Sequence, residues 1–293
     1  MMAANRDDGV EAALEAHTAS CVPIEPRAWK VAIANGSEVH ATARVAEGWL
    51  LFESALTGAA GRDPWELLRW NAVLPGGVKF ALRRGDPMPH LRAELPLGVD
   101  LDVAARIGRA FAGFSAASAL LAGATHVDGD GVLADGDDAG IDLPRLCAEA
   151  GWPFVARASG ALAVTLESGL EFRQATLTTE GNAVRASVPL VANDGSRPAV
   201  RRMAVAALAL RASAAVRMAR AAAVDTELCS EVVFAGAPAP AELGHALAAL
   251  SVACRLCAGE LGILAEDGAV AGLYLRCNQT PAASWKNGGF EHE

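Results

Sequence analysis

The sequence predicts an α+β protein in which two related domains, each an antiparallel sheet with helices, follow one another as a pseudo-dimer. Apolar and polar residues alternate at period two in several short segments, which is typical of strands with one buried face. Long alanine-rich stretches that begin with helix-capping residues separate these segments. Residues 92–97 and 185–190 have similar sequences, and each closes a strand before such a stretch, which indicates an internal duplication.

The first domain is predicted to begin with a short helix at residues 10–17, which three strands follow. Asn35-Gly36 and Glu47-Gly48 are turn sequences that connect antiparallel neighbours. Each strand places apolar residues on one face and polar residues on the other. The three predicted strands are residues 29–33, 39–45 and 49–52.

The rest of the first domain is predicted as two helices and two strands. Asp63-Pro64 has an N-cap acid followed by proline at the first helical position, and the helix should end before Pro75. Asp100 or Asp102 caps a second, alanine-rich helix that reaches about residue 122. With strands at residues 78–82 and 91–95 between these helices, the order over residues 9–122 is α-β-β-β-α-β-β-α.

An acidic, glycine-rich linker is predicted at residues 125–140, so the domains are assigned to residues 1–124 and 141–277. The second domain repeats a helix from Asp142, three strands, and a long helix at residues 198–222. A weaker strand-helix pair and a last strand depart from the order of the first domain, and a polar tail covers residues 278–293. The pair is predicted at residues 227–234 and 242–257, and the last strand at residues 270–275.

Charge and composition exclude several classes of partner. The net charge of −9 argues against nucleic acid, because a phosphate backbone favours clustered Lys and Arg. Acidic residues near the start replace the basic and apolar run of a signal peptide, so we expect a cytoplasmic protein. The uncharged residues 110–127 are too rich in Ala, Gly and Ser for a membrane span, so no membrane partner is predicted.

Cys254 and Cys257 form a Cys-x-x-Cys pair, a spacing found in zinc sites and redox centres. The pair lies late in a predicted helix, however, and the sequence has neither a second such pair nor a His pair to complete a zinc site. Free cysteine also packs as a small apolar residue. We therefore predict no metal site, with these two thiols as the weak candidates, and we expect all six cysteines to be reduced.

Other motifs match catalytic or cofactor templates only in part. Residues 128–139 resemble a calcium loop in composition, but Val132 and Ala139 occupy positions that require oxygen ligands. The same segment imitates a dinucleotide fingerprint without its strand-to-helix context, and residues 113–117 imitate a nucleophile elbow inside a helix. His40 shares a strand face with Glu38 and Arg44, which is either an acid-base site or an exposed sheet face. No catalytic residue and no cofactor are predicted.

Three tryptophans and three arginines are the predicted partner-binding residues. Trp and Arg are enriched at the centres of protein interfaces, although periodic Trp residues also occur in cores. The arginines lie in the predicted helix 198–222, where they form a stripe for an acidic segment or simply a solvated face. The candidates are Trp49, Trp65, Trp70, Arg202, Arg217 and Arg220.

The order α-β-β-β-α-β-β-α in an acidic chain resembles the type III secretion chaperone-like fold. That resemblance implies a bacterial protein that binds an extended segment of another polypeptide and acts as a dimer, here a homodimer or two copies fused in one chain. A non-enzymatic adaptor or chaperone is therefore the predicted function. The alternative is an enzyme or enzyme subunit with a small-molecule site between the copies, for which Cys254, Cys257 and His40 are the first candidates.

Overall fold

The computed structural model describes residues 4–33, 39–86, 88–98, 102–124, 140–169, 171–192, 197–225 and 227–278. Within them, the N-terminal unit (residues 4–124) has nine helices and strands that follow the predicted pattern closely. They are α1 (Ala4–His17), β1 (Ser20–Glu25), β2 (Ala28–Ile33), β3 (Val39–Ala46), β4 (Trp49–Ala55), α2 (Pro64–Val73), β5 (Lys79–Leu82), β6 (Pro89–Pro96) and α3 (Val103–Leu121).

The C-terminal unit (residues 140–278) contains the same succession of elements and one additional helix at its end. Its elements are α4 (Leu143–Glu149), β7 (Phe154–Ala156), β8 (Leu162–Ser168), β9 (Glu171–Glu180), β10 (Ala183–Ala192), α5 (Ala199–Ala215), β11 (Arg220–Val224), β12 (Glu227–Ala235), α6 (Pro240–Glu266) and α7 (Gly268–Cys277).

Each unit forms one six-stranded antiparallel sheet, and the two sheets have the same strand order. That order is β1-β2-β3-β4-β6-β5 in the first unit and β7-β8-β9-β10-β12-β11 in the second. The helices correspond as well, because α1, α2 and α3 occupy the chain positions that α4, α5 and α6 occupy later. The predicted α+β fold of two sheet-plus-helix units is confirmed, and the shared order favours the duplication.

The structure revises the evidence for the duplication. Residues 92–97 begin in β6 and residues 185–190 lie in β10, but the counterpart of β6 in the second sheet is β12. The similar sequences therefore do not mark equivalent strands. The strand-helix pair that was expected to depart from the first domain's order instead completes the second unit, since β11, β12 and α6 correspond to β5, β6 and α3.

The predicted helix at residues 198–222 is too long. α5 ends at Ala215, the backbone of Val216 is extended, and Met218 has a φ of 63°, which turns the chain into β11. β11 begins with an Arg-Ala-Ala-Ala run of high helix propensity. It is a strand because it pairs with β12 and is buried by α2, so tertiary contacts override propensity.

The predicted strand at residues 270–275 is wrong, because these residues belong to α7. Asp267 caps that helix by accepting hydrogen bonds from the backbone amides of Ala269 and Val270. The edge strands β1 and β7 were not predicted, since neither has a buried face that would leave an alternating pattern.

Several predicted helix starts are confirmed by their caps. The side chains of Asp63, Asp102 and Asp142 each accept a hydrogen bond from a backbone amide in the first turn of α2, α3 and α4. The Glu47-Gly48 turn is also present, with φ values of 52° and 78°. The Asn35-Gly36 turn, residues 125–139 of the predicted linker and residues 279–293 of the predicted tail lie outside the described residues.

The two units meet through their middle helices. α2 packs on β11 of the other unit, α5 packs on β5, and the two helices contact each other. The same pair of surfaces is thus used twice, as in the two-fold interface of a homodimer. On the core side of the first sheet lie α1 and α3, and on that of the second sheet lie α4 and α6.

Candidate functional site

Two buried cations, Lys79 and Arg220, lie at the junction of the units and correspond to one another. Each is the first residue of the strand that closes its sheet, β5 or β11. Lys79 Nζ donates to the carbonyl oxygens of Val216 (2.8 Å) and Ala219 (2.9 Å), whereas Arg220 Nη1 donates to those of Leu74 (2.7 Å) and Val78 (2.9 Å).

The four carbonyl acceptors of these bonds occupy corresponding positions in the two units. Val216 and Leu74 are the C-cap residues of α5 and α2, whose last carbonyl groups lack helical partners. Ala219 and Val78 each immediately precede the cation of their own unit. Each unit therefore caps the middle helix of the other with a cation, which positions the units as two-fold-related partners.

Each cation is neutralised inside its own sheet. Lys79 Nζ lies 2.8 Å from Glu94 Oε2, which completes the three donors of its ammonium group. Arg220 Nε donates to Glu231 Oε1 at 2.8 Å. Burial lowers the pKa of Lys79 and of Arg220, and the paired carboxylate opposes that shift in each case.

Asn71 and Ser213 extend the correspondence along the two middle helices. Asn71 on α2 accepts a bond from the Phe80 amide (2.6 Å) and donates to the carbonyl oxygen of Ala221 across the junction (2.9 Å). Ser213 on α5 accepts from the Ala221 amide at 2.7 Å. These bonds fasten each middle helix to the closing strand of its unit, and Asn71 also reaches the other unit.

Most of the predicted partner-binding residues contact the other unit of the same chain. Trp65 is buried and its Nε1 donates to the carbonyl oxygen of Arg202 at 2.8 Å. The Arg217 guanidinium lies 5.5 Å from the centre of the Trp49 ring. Trp65 and Arg220 are enclosed by the two units, so a partner on the surface would not reach them. Arg217 and Arg220 also lie beyond the end of α5, which corrects their predicted place on a helix.

Trp70 differs, because its two ring contacts are with residues of its own N-terminal unit. The Arg62 guanidinium lies 5.5 Å from the centre of the Trp70 ring, and the Phe80 ring is 5.7 Å away. Trp70 is half-buried, so part of the ring remains available to a partner.

A fork between Arg106 and Glu242 joins α3 to α6 at one side of the junction. Arg106 Nη2 donates to Glu242 Oε2 at 2.6 Å, and Nη1 donates to the second carboxylate oxygen. Glu242 Oε2 also accepts from the Ala239 amide at 3.0 Å, at the start of α6. The buried Glu242 carboxylate thus stabilises the first turn of α6 and also binds this helix to α3 of the N-terminal unit.

The cavity between the units is small. It holds about 70 Å³ and is lined by Glu94, Arg106, Met218 and Glu242 among others. Sites for small organic ligands usually measure about 300–1,000 Å³. The alternative prediction of a small-molecule site between the copies therefore has little room at this place.

Cys254 and Cys257 are buried on the face of α6 that packs against the second sheet. Burial raises the pKa of Cys254 to about 11 and that of Cys257 to about 12, so both are thiols at neutral pH. Cys257 Sγ donates to the carbonyl oxygen of Ala253 at 3.0 Å. Across the described residues, no group of three or more His, Cys, Asp and Glu side chains is placed to hold a metal ion.

A histidine that the sequence did not single out, His90, lies among carboxylates. His90 Nε2 is 2.7 Å from Asp86 Oδ2, and His90 Nδ1 is 3.2 Å from Glu53 Oε1. The bond from His90 lowers the pKa of Asp86. The sequence did not indicate this cluster, because its members come from β4, β6 and the preceding turn, which only strand pairing brings together. His40 is exposed, and Glu38 lies outside the described residues.

The outer edges of the two sheets are β1 and β7. β1 has six residues and is exposed on both faces over most of its length, with Val22 and Ile24 each 53% exposed. β7 has three residues, of which Val155 is exposed. The opposite edges, β5 and β11, are covered at the junction, so an added strand could pair only at β1 or β7.

One helix in the described part of the chain, α6, is long and apolar enough to cross a membrane by length and composition. Its packing on α5 and on the second sheet accounts for that composition. Comparison of the chain with protein-family models, with curated proteins and with solved structures found no match. The function must therefore be inferred from the geometry.

Proposed function

We propose that this protein is a non-enzymatic adaptor or chaperone-like protein of the cytoplasm, which binds an extended segment of a partner polypeptide as an additional strand at β1. The supporting observation is the exposed edge of β1, where aliphatic side chains accompany unpaired backbone groups. Strand addition uses backbone hydrogen bonds for affinity and alternate side chains for specificity. The resemblance to the type III secretion chaperone-like fold stays a prediction that agrees with this proposal.

The register of β1 leaves its open edge capable of pairing. The Ala19 amide donates to the carbonyl oxygen of Ala32 on β2 at 2.8 Å. Because the Ala32 carbonyl faces β1 and Ser20 and Val22 pair with Ala32 and Lys30, the amides of Ser20 and Val22 face β2, whereas the amide of Cys21 and the missing N–H of Pro23 face outward. Pro23 therefore removes one donor from the open side, which keeps the Cys21 amide as a donor and the carbonyl oxygens of Cys21 and Pro23 as acceptors.

β1 is a better template than β7. A strand of six residues offers about twice the pairing length of a strand of three, and short edge strands are one way in which proteins avoid unwanted pairing. Val22 lies opposite Lys30 of β2. The side chains of Val22 and Ile24 are exposed on the outer face of the sheet. A partner segment with apolar residues at alternate positions would cover them.

A phage-displayed library of unstructured 12-residue peptides tests the proposal. We expect selected peptides to alternate apolar and polar residues and to slow hydrogen exchange at the Cys21 amide. Cys21→Pro removes the outward donor and should weaken binding at least tenfold. Phe172→Asp, at an exposed apolar residue of the interior strand β9, is the matched control and should not change binding. Unchanged binding by Cys21→Pro, or protection confined to other strands, would contradict the proposal.

A further inference from the structure

The last two turns of α6 and the helix α7 enclose an apolar groove of about 380 Å³. Its walls include Ile263 and Leu264 from α6 and Val270, Leu273 and Tyr274 from α7. Ile263 is 55% exposed and Leu273 is 53% exposed, so the groove presents large aliphatic side chains to solvent. Contiguous exposed apolar surface of this kind marks interaction sites in soluble proteins.

The groove belongs only to the C-terminal unit. α6 has 27 residues, whereas its counterpart α3 has 19, and α7 has no counterpart in the described part of the N-terminal unit. In the described residues, α3 contributes none of the large exposed apolar side chains of the chain. The feature therefore distinguishes the second copy from the first, and it is not needed to join the units.

Contacts with α5 hold α7 in place and so preform the groove. Arg211 Nη1 donates to the Tyr274 hydroxyl at 2.9 Å, and its guanidinium lies 5.4 Å from the centre of the Tyr274 ring. Arg211 Nη2 also donates to the carbonyl oxygen of Asn278 at 3.2 Å. Tyr274 and Asn278, which also line the groove, are thereby held against α5.

A helical occupant satisfies the chemistry of these walls. The backbone groups of α6 and α7 are bonded within their own helices, so an extended segment in the groove would find no backbone partners. A helix bonds its own backbone and can present apolar residues at positions i, i+3 or i+4, and i+7. α7 has ten residues, or about 15 Å at 1.5 Å per residue, which matches two to three turns of an occupant.

Charge around the groove indicates the chemistry of a foreign helix that would bind there. Glu260 lies in the wall, and Glu266 and Asp267 are exposed where α6 meets α7. Arg276 lies at the other end of α7, and its guanidinium group is close to Gly272. Lys or Arg beside an apolar stripe would complement Glu260 and the acidic residues at this junction. A second copy turned end to end would instead place Arg276 against Glu266 and Asp267, and the oligomeric state of the protein distinguishes the two occupants.

We propose that the α6–α7 groove binds an amphipathic helix of a partner protein, in which basic residues flank the apolar stripe. This site is separate from β1 and does not depend on strand addition there. A partner could use both sites, but each is tested without the other.

A synthetic 14-residue amphipathic helix with Leu at i, i+3 and i+7 and with flanking Lys residues is the probe. The comparison peptides have Glu in place of Lys, or the same composition in a scrambled order. We expect the Lys peptide to bind at least tenfold more tightly than either one. Ile263→Glu and Leu273→Glu should each weaken that binding at least tenfold, and Glu260→Lys should favour the Glu peptide. The control Phe172→Glu should leave binding unchanged.

Cys277, which is exposed beside the groove, gives a second measurement. The Lys peptide should slow alkylation of Cys277 at least fivefold, as followed by mass spectrometry of that site alone. Equal binding of the scrambled peptide would contradict the proposal. So would a dimer of the protein itself that Ile263→Glu abolishes, because the occupant would then be a second copy.

Discussion

A charged side chain inside a protein costs several kcal/mol unless its hydrogen bonds are complete and an opposite charge lies beside it. Lys79 and Arg220 meet both conditions, but only with atoms from both units. Lys79 in particular has every ammonium donor occupied: two by carbonyl oxygens of the other unit and one by Glu94. Their environment therefore exists only when the two units are joined.

Lys79→Met should destabilise the protein by about 3–5 kcal/mol, because it leaves the buried Glu94 carboxylate without its main cation. Arg92, 3.5 Å from Glu94, compensates in part and favours the lower end of that range. Urea unfolding followed by circular dichroism measures the change. Arg145→Ala breaks the exposed ion pair with Glu149 and should cost less than about 1 kcal/mol. Equal costs for the two variants would show that the buried pair is not specially coupled.

The two thiols of α6 should be unreactive in the native protein. With pKa values of about 11 and 12, Cys254 and Cys257 have very little thiolate at pH 8, and both are buried. Iodoacetamide followed by mass spectrometry should label Cys277 within minutes and these two only after denaturation. Rapid native labelling, or stoichiometric zinc in purified protein, would instead support the redox or metal interpretation of the pair.

Helices show how far local sequence determines this fold. Asp63, Asp102 and Asp142 are recognisable as caps because a cap depends on residues within one turn. β11 could not be recognised, since its alanine-rich sequence becomes a strand only through β12 and α2. α7 was misread because its density of apolar residues suits a short buried strand as well as a helix.

Gly113 and Gly259 are helical glycines with opposite expected responses to alanine. A Cβ at Gly113 of α3 would lie 2.5 Å from Val78 Cγ2 and 2.7 Å from the Pro75 carbonyl oxygen. Gly113→Ala should therefore destabilise by about 1–3 kcal/mol through overpacking. At Gly259 of α6 a Cβ meets nothing within 4 Å, and Gly259→Ala should stabilise by about 0.5–1 kcal/mol. Melting temperatures test both changes, and a shift of the same sign would contradict the packing of α3.

At the scale of the whole molecule, the two units repeat one topology and differ where the chain adds to it. The shared parts, α2 with β5 and α5 with β11, are used to join the units. The long end of α6 and the helix α7 are the additions, and they carry an exposed apolar groove. One unit thus carries a surface that the described part of the other lacks.

The sequence predicted the repeated sheet-and-helix organisation but not the residues that join the copies. Lys79 alternates with apolar Val78 and Phe80, which by period two places it on a polar, solvent-facing side of a strand. Only the second unit buries that side. In the same way Trp65 and Arg220 were predicted to bind a partner, and the structure places them against the other half of the same chain.

Cutting the chain between the units tests their two-fold junction most directly. A specific protease site can be introduced within residues 125–139, which connect the units, and cleaved in the folded protein. We predict that the two fragments stay together as a 1:1 species at micromolar concentration in size-exclusion chromatography with light scattering. Lys79→Met combined with Arg220→Met should separate them. If the unsubstituted fragments separate on cleavage, the junction described here does not hold the units together.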